Sequence, residues 1–235
     1  MNSIEPVPGF IIAPQQQVSV PVRGTSDRFP VHRIYCVGRN YAAHAVEMGH
    51  DPDKEPPFFF QKSPSNLVTD GRDFSYPPAT EDVHHEIELV VALVSGGSNI
   101  PVAEALDHVF GYGVGLDMTR RDIQAELKRM SRPWDAAKAF EQSAPCSEIV
   151  PASQIGHPER GAIWLKINGE IRQEGDLDQL IWKTAEVIAH LSGLFELRAG
   201  DLIMTGTPSG VGSVHRGDKL HGHVEGVGDL TCTVV

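Results

Sequence analysis

Two carboxylates spaced two residues apart, Glu86 and Glu88, run directly into the apolar stretch Leu89-Val90-Val91-Ala92-Leu93. On a β-strand, residues i and i+2 share a face, so these anions project side by side with Ile87 facing away. Two adjacent anions entering an apolar strand repel each other and resist desolvation. A bound hard cation (Mg²⁺, Mn²⁺ or Ca²⁺) relieves both problems, because such ions take oxygen ligands. A strand end with both side chains in water satisfies the same sequence. Asp117 closes a second apolar run, Gly111-Tyr112-Gly113-Val114-Gly115-Leu116, and is either a third metal carboxylate or a helix N-cap. Three protein ligands leave coordination positions open for water and substrate.

Other residue types with chemical potential are grouped nearby in sequence. His44 and Glu47 stand at i and i+3 of a helical stretch, where a carboxylate orients an imidazole for activating water; a surface His-Glu pair has the same spacing. Arg39 begins that segment just past a strand end, a place where substrate carboxylates are gripped. Arg121 and Gln124 are i and i+3 just after Asp117. Lys138 lies in the apolar setting Ala136-Ala137-Lys138-Ala139-Phe140 and needs an anion if it is desolvated, or snorkels to water if it is not. Thr205-Gly206-Thr207-Pro208 is an ordinary turn or a nest of backbone N–H groups and hydroxyls turned toward an anion.

Composition narrows the function classes. At 235 residues, 40% hydrophobic and 22% charged, the chain is expected to be one soluble domain with a sizeable core. A net charge of -11 without a Lys/Arg cluster argues against nucleic acid as a partner. The three cysteines, Cys36, Cys146 and Cys232, show no zinc or redox spacing and suit a reducing, cytoplasmic setting. No apolar run is long enough for a membrane span, and no secretory signal pattern opens the chain.

The elements that must position these residues follow from periodicity. Residues 1–30 read as an appendage with an edge strand near Val18–Val22, and residues 31–235 as the main domain. The spacing predicts strands over Arg33–Val37, Phe58–Lys62, Val83–Leu93, Gly111–Leu116, Ala162–Ile167, Glu170–Glu174 and Asp201–Thr205. It predicts helices over Tyr41–Met48 (capped by Asn40), Pro101–Phe110, Arg120–Met130 and Gln179–Leu194. Asn168-Gly169 is a type I′ hairpin signal. Strands outnumber helices without regular alternation, so the expectation is α+β with a rolled or sandwiched mixed sheet.

In their order along the chain, several of these stretches resemble the fumarylacetoacetate hydrolase family. They are Val37-Gly38-Arg39-Asn40-Tyr41 with His44 and Glu47, Phe58-Phe59-Phe60-Gln61-Lys62, and His85-Glu86-Ile87-Glu88-Leu89. Gly115-Leu116-Asp117-Met118-Thr119-Arg120-Arg121-Asp122, Lys138-Ala139-Phe140, Gly200-Asp201-Leu202-Ile203, Thr205-Gly206-Thr207-Pro208 and Gly210-Val211-Gly212 complete the set. Ser63 stands where the pattern has Pro. The resemblance implies a mixed β-sandwich roll, a homodimer, and Mg²⁺ or Mn²⁺ on Glu86, Glu88 and Asp117. It also implies a water-activating pair, His44 and Glu47, and Arg121, Gln124, Lys138 and Thr207 around the substrate. The activity implied is hydrolysis of a C–C bond in a small 2,4-dioxo acid, an acylpyruvate such as 3-fumarylpyruvate, at the end of gentisate-type aromatic breakdown. Oxaloacetate decarboxylation, or isomerisation or hydration of a 2-oxo-enoate, are the alternatives on the same fold.

Overall fold

The strand that enters from the carboxylate pair, Ile87–Leu93, is buried at every position and lies third in a six-stranded sheet. The computed structural model describes residues 9–43 and 56–235. Across the sheet the order is Val150–Pro151, Val109–Leu116, Ile87–Leu93, Asp201–Met204, Arg33–Gly38 and Phe58–Lys62. Asp201–Met204 runs antiparallel to Ile87–Leu93 and parallel to Arg33–Gly38, which makes the sheet mixed.

Strand alternation explains how both faces are filled. Leu89, Val91 and Leu93 belong to the larger core, with Ile163, Leu165, Leu220 and Val224 from a second, four-stranded sheet. Val90 and Ala92 face a smaller core, with Val20, Val22, Phe29 and Val31. Residues 18–31 thus pack on the six-stranded sheet; Ser19–Pro21 pairs with Arg28–Pro30, and Pro21 O accepts the Ile149 N–H at 2.8 Å. The second sheet is antiparallel and runs Glu170–Asp176, Ala162–Ile167, Lys219–Val224 and Gly228–Thr233. Its first hairpin turns at Asn168 and Gly169, with φ of 54° and 89°, as a type I′ turn requires. Among the described residues, no helix is long and apolar enough to cross a membrane.

Several elements differ from the sequence expectation. Val83–Leu93 is not one strand. It breaks at Glu86, because Val83–His85 leaves the main sheet to pair with Thr119–Arg120 and Gly212–Ser213. The helix expected over Arg120–Met130 spans Arg121–Arg129, since Arg120 is spent on that pairing. Pro101–Phe110 is a 3₁₀ turn over Val102–His108, and Phe110 already lies in the strand Val109–Leu116. The Gln179–Leu194 helix begins later, at Thr184, after a separate 3₁₀ turn at Leu177–Gln179. Of the Tyr41–Met48 helix only its opening falls within the described residues.

The cap role expected for Asn40 belongs to a helix that lies largely outside the described residues; among the described ones this side chain reaches across the chain. Its side chain donates to Trp182 O at 2.9 Å and Thr205 O at 2.8 Å, and accepts Trp182 N–H at 2.8 Å. Fully buried, it ties the end of Arg33–Gly38 to the loop that carries Thr207. Asn40→Ala strands two carbonyls and one N–H away from water. We expect it to lower unfolding free energy by about 3 kcal/mol, read as a shift in denaturant midpoint with unchanged slope. A loss under about 0.5 kcal/mol would show that water replaces the amide.

Candidate metal centre and substrate cleft

The break at Glu86 builds the site. Glu86 occupies the kink between two strands that belong to different sheets. Its carbonyl accepts the Asp117 N–H at 2.9 Å, which seats Asp117 beside it at the end of Val109–Leu116. Glu88, two residues on, lies opposite Gly115 in the antiparallel register. A Cβ at Gly115 would come within 2.6 Å of Val90 Cγ2 and 3.0 Å of Met204 Cε, so only glycine allows that close approach. The three buried side chains each offer an oxygen, and these lie within 4.8 Å of one another.

Cations flank the trio. Lys138 Nζ donates to Glu86 Oε2 and Asp117 Oδ2, both at 2.7 Å. Arg121 Nη2 donates to Glu86 Oε1 at 2.5 Å. Lys62 Nζ lies 2.8 Å from Asp117 Oδ1 and donates to the carbonyls of Met118 and Lys138. Burial by itself lowers the Lys138 pKa, but the charges of Asp117 and Glu86 outweigh it and hold the ammonium raised. Glu88 differs from its neighbours. It accepts Gly206 N–H at 2.7 Å but has no cation in ion-pair contact among the described residues. Desolvation, then the charges of Asp117 and Glu86, push its pKa well above the usual carboxylate range.

This donor set fits a hard divalent ion. It consists of carboxylate oxygens alone, with one member short of positive charge. Among the described residues, Asp117 Oδ1 also lacks a directed hydrogen bond despite the nearby Lys62. His84 and His85 take no part in the cluster. His84 Nδ1 accepts from Arg121 Nε at 3.2 Å, and its Nε2 meets Asp82 at 3.0 Å, which steadies the arginine. His85 is buried and held neutral, its pKa pushed down to about 4 chiefly by desolvation.

A cleft opens over the trio, lined in part by Arg39, Phe58, Phe60, Lys128, Trp134 and Thr207. Gln124 lines it too, accepting Arg121 Nη1 at 2.6 Å. Arg39 has φ 60°, and its guanidinium lies 5.2 Å over the Phe58 ring. Thus Arg39, Glu86, Glu88, Asp117, Arg121, Gln124, Lys138 and Thr207 all meet in one place. His44 and Glu47 lie outside the described residues.

Sequence reasoning missed three members of this neighbourhood. Lys128 lies one helical turn from Gln124 and two from Arg121, and that i, i+3, i+7 spacing was the available signal. Its ammonium is 5.6 Å from the Trp134 ring. Lys62 shares a strand face with Phe60 and turns inward. The turn after it starts with Ser63, whose side chain caps Pro64–Asn66 and whose N–H is held by the Asn66 side chain, so Ser in place of Pro leaves the loop well formed. Gln173, on the second sheet, gave no signal at all.

The family model described as "Fumarylacetoacetate (FAA) hydrolase C-terminal" matches residues 33–235. A fumarylpyruvate hydrolase of Ralstonia sp is 46% identical over 189 residues, 80% of this chain and 98% of that protein. The mitochondrial oxaloacetate tautomerase FAHD1 of Homo sapiens is 40% identical over 201 residues, 86% of this chain and 90% of that protein. A crystal structure of fumarylpyruvate hydrolase from Pseudomonas aeruginosa, in complex with Mn²⁺ and pyruvate, superposes with a TM-score of 0.94 at 52% identity. It covers 96% of this chain and 99% of its own. A mixed-sheet fold, a buried carboxylate trio under a cationic cleft and a match across nearly the whole described chain converge on one conclusion: this chain belongs to the fumarylacetoacetate hydrolase family.

Proposed function

We propose that the chain is a divalent-metal-dependent hydrolase that cleaves the C–C bond of acylpyruvates, with 3-fumarylpyruvate as its substrate and fumarate and pyruvate as products. The observation that carries this reading is the juxtaposition of an all-carboxylate trio with a cleft whose far wall is cationic. The similarity to a fumarylpyruvate hydrolase, and to one solved with Mn²⁺ and pyruvate, supports it. Glu86, Glu88 and Asp117 would hold the ion, Mg²⁺ or Mn²⁺. When bound, that ion supplies Lewis-acid charge for the 2-oxo acid end of the substrate.

The chain's own residues do the rest. The His44–Glu47 pair draws a proton from water, and the water oxygen attacks the C4 carbonyl. The C3–C4 bond breaks, and its electron pair stays with the pyruvate fragment as an enolate. Lys138, fixed between Glu86 and Asp117, provides an ammonium beside the developing charge. Arg121, held by His84, Glu86 and Gln124, orients the substrate, and Thr207 reaches it from the opposite loop. Protonation at C3 gives pyruvate, and the acyl half leaves as fumarate. Residues 31–235 act as the catalytic unit of a cytoplasmic homodimer, with residues 1–30 as its appendage.

Arg39 and Lys128 set the choice of acyl group. Desolvation, and then repulsion by Arg39 and Arg121, lowers the Lys128 pKa, so this wall favours an added negative charge. The distal carboxylate of a fumaryl arm provides it. Fumarylpyruvate should therefore exceed acetylpyruvate in kcat/KM by about tenfold or more. Lys128→Met should remove most of that difference. The deciding assay measures pyruvate release from fumarylpyruvate, acetylpyruvate and oxaloacetate, with and without chelator. Equal rates on the first two sink the fumaryl assignment. The similarity to an oxaloacetate tautomerase favours oxaloacetate as the second candidate, and preferential turnover of oxaloacetate would put that reading first.

A further inference from the structure

Gln173 lies fully buried on the strand Glu170–Asp176 of the second sheet, yet all its polar contacts reach toward the site. Its Oε1 accepts the Ile87 N–H at 3.1 Å. A backbone N–H can only donate, so this contact fixes which end of the amide is oxygen. His85 Nδ1, 2.7 Å from the same oxygen, is then a donor as well. The other end, Nε2, carries two protons. One goes to Pro208 O and one to Thr207 Oγ1, both at 2.8 Å. The amide is saturated and cannot flip without breaking all four contacts.

Thr207 therefore accepts a hydrogen bond from Gln173, and its own proton must point elsewhere. Among the described residues that proton meets no acceptor, and Thr207 lines the cleft beside the carboxylate trio. A free hydroxyl presents its lone pairs as readily as its proton, and lone pairs repel a carboxylate. We propose that Gln173 fixes the Thr207 hydroxyl as a hydrogen-bond donor aimed into the cleft, making Gln173 a positioning residue for the anionic 2-oxo acid end of the substrate. The inference rests on the hydrolase reading above for the identity of that substrate. Gln173 also holds Ile87, the residue between Glu86 and Glu88, so one amide registers the Thr207 loop against the carboxylate strand.

The test is a double-mutant cycle on the Mn²⁺-loaded enzyme. Gln173→Glu keeps the shape but presents only acceptors, which turns the Thr207 proton away from the cleft. It should raise KM for fumarylpyruvate about ten- to a hundredfold, the worth of a hydrogen bond to a charged group, with kcat changed less than threefold. Thr207→Val should match it, and Thr207→Ser should restore near wild-type KM. Within the Thr207→Val background, Gln173→Glu should add less than about threefold. If the two penalties multiply instead, Gln173 acts through the fold and the proposal is overturned. Should the buried carboxylate prevent folding, Gln173→Met, of similar length and uncharged, takes its place in the cycle with the same outcomes. A wild-type enzyme inactive on every acylpyruvate would refute the hydrolase reading. Calorimetric pyruvate binding then runs the same cycle, with shared losses supporting the Gln173 role and multiplied losses overturning it.

Discussion

Glu88→Gln is expected to abolish Mn²⁺ binding and pyruvate release together, while the chelator-treated protein becomes more stable. The two effects have opposite sign and a single cause. Glu88 is buried beside two other carboxylates without an ion pair of its own among the described residues, so its ionised form is unfavourable until a cation arrives. The sign follows from linkage. A carboxyl whose folded pKa is raised contributes stability below its unfolded pKa, near 4.5, and loses it as pH rises through the folded value. At neutral pH the amide removes that burden from the metal-free protein but can no longer supply a charged ligand. Activity should fall by at least ~10³-fold, about 4 kcal/mol, in keeping with the loss of a Lewis acid. Thermal melts of both proteins, with chelator and with Mn²⁺, carry the stability half. A variant that still gains melting temperature on Mn²⁺ addition would remove Glu88 from the ligand set.

His44→Ala should lower kcat by about 10²–10⁴, the usual worth of a positioned base, with little change in Mn²⁺ affinity. The basis is spacing and family resemblance, since a His at i and a Glu at i+3 suit water activation and neither is a proposed ligand. Glu47→Gln should give a similar or smaller loss. Any decarboxylation of oxaloacetate should suffer less, because breaking that bond needs no attacking water. Hydrolysis within about threefold of wild type in His44→Ala would end the role of this pair and favour chemistry on oxaloacetate.

Much of the site was legible because strand and helix periods report neighbours. Glu86 and Glu88 announced themselves by alternation, and Asp117 by its place at a strand end. Arg121 and Gln124 followed from helical spacing, and the same argument extended by one turn would have reached Lys128. The missed features share one property: long-range pairing decides them. Nothing local says that Val83–His85 should leave the main sheet, because its apolar and polar residues suit either partner. The inward turn of Lys62 depends on Asp117 and on carbonyls of Met118 and Lys138, all far along the chain. Asn40 reads locally as a cap, and nothing local announces its bonds to the buried carbonyls of Trp182 and Thr205, far along the chain. Gln173 sits in a hairpin whose neighbours read as exposed strand, and its partners come from two distant segments, His85–Ile87 and Thr207–Pro208.

The hairpin of Ile87–Leu93 with Val109–Leu116 also orders events in time. Glu86, Glu88 and Asp117 all belong to this one antiparallel pair and the kink at its end, so a short loop closure brings them together. Gln173, Thr207 and the central strand Asp201–Met204 come from much later in the chain. On a ribosome, where the chain emerges N-terminus first, the residues of the acidic trio emerge before the loop that will cover them. We predict that amides of Leu89–Val91 and Val114–Leu116 gain protection from exchange earlier during refolding than those of Ile203–Thr205, and that Mn²⁺ accelerates the first phase and not the second. Simultaneous protection of both groups would mean that the ion meets only the finished fold. In the sequential case, metal capture is a step of folding, and the nascent chain competes for the ion before it has a substrate to hold.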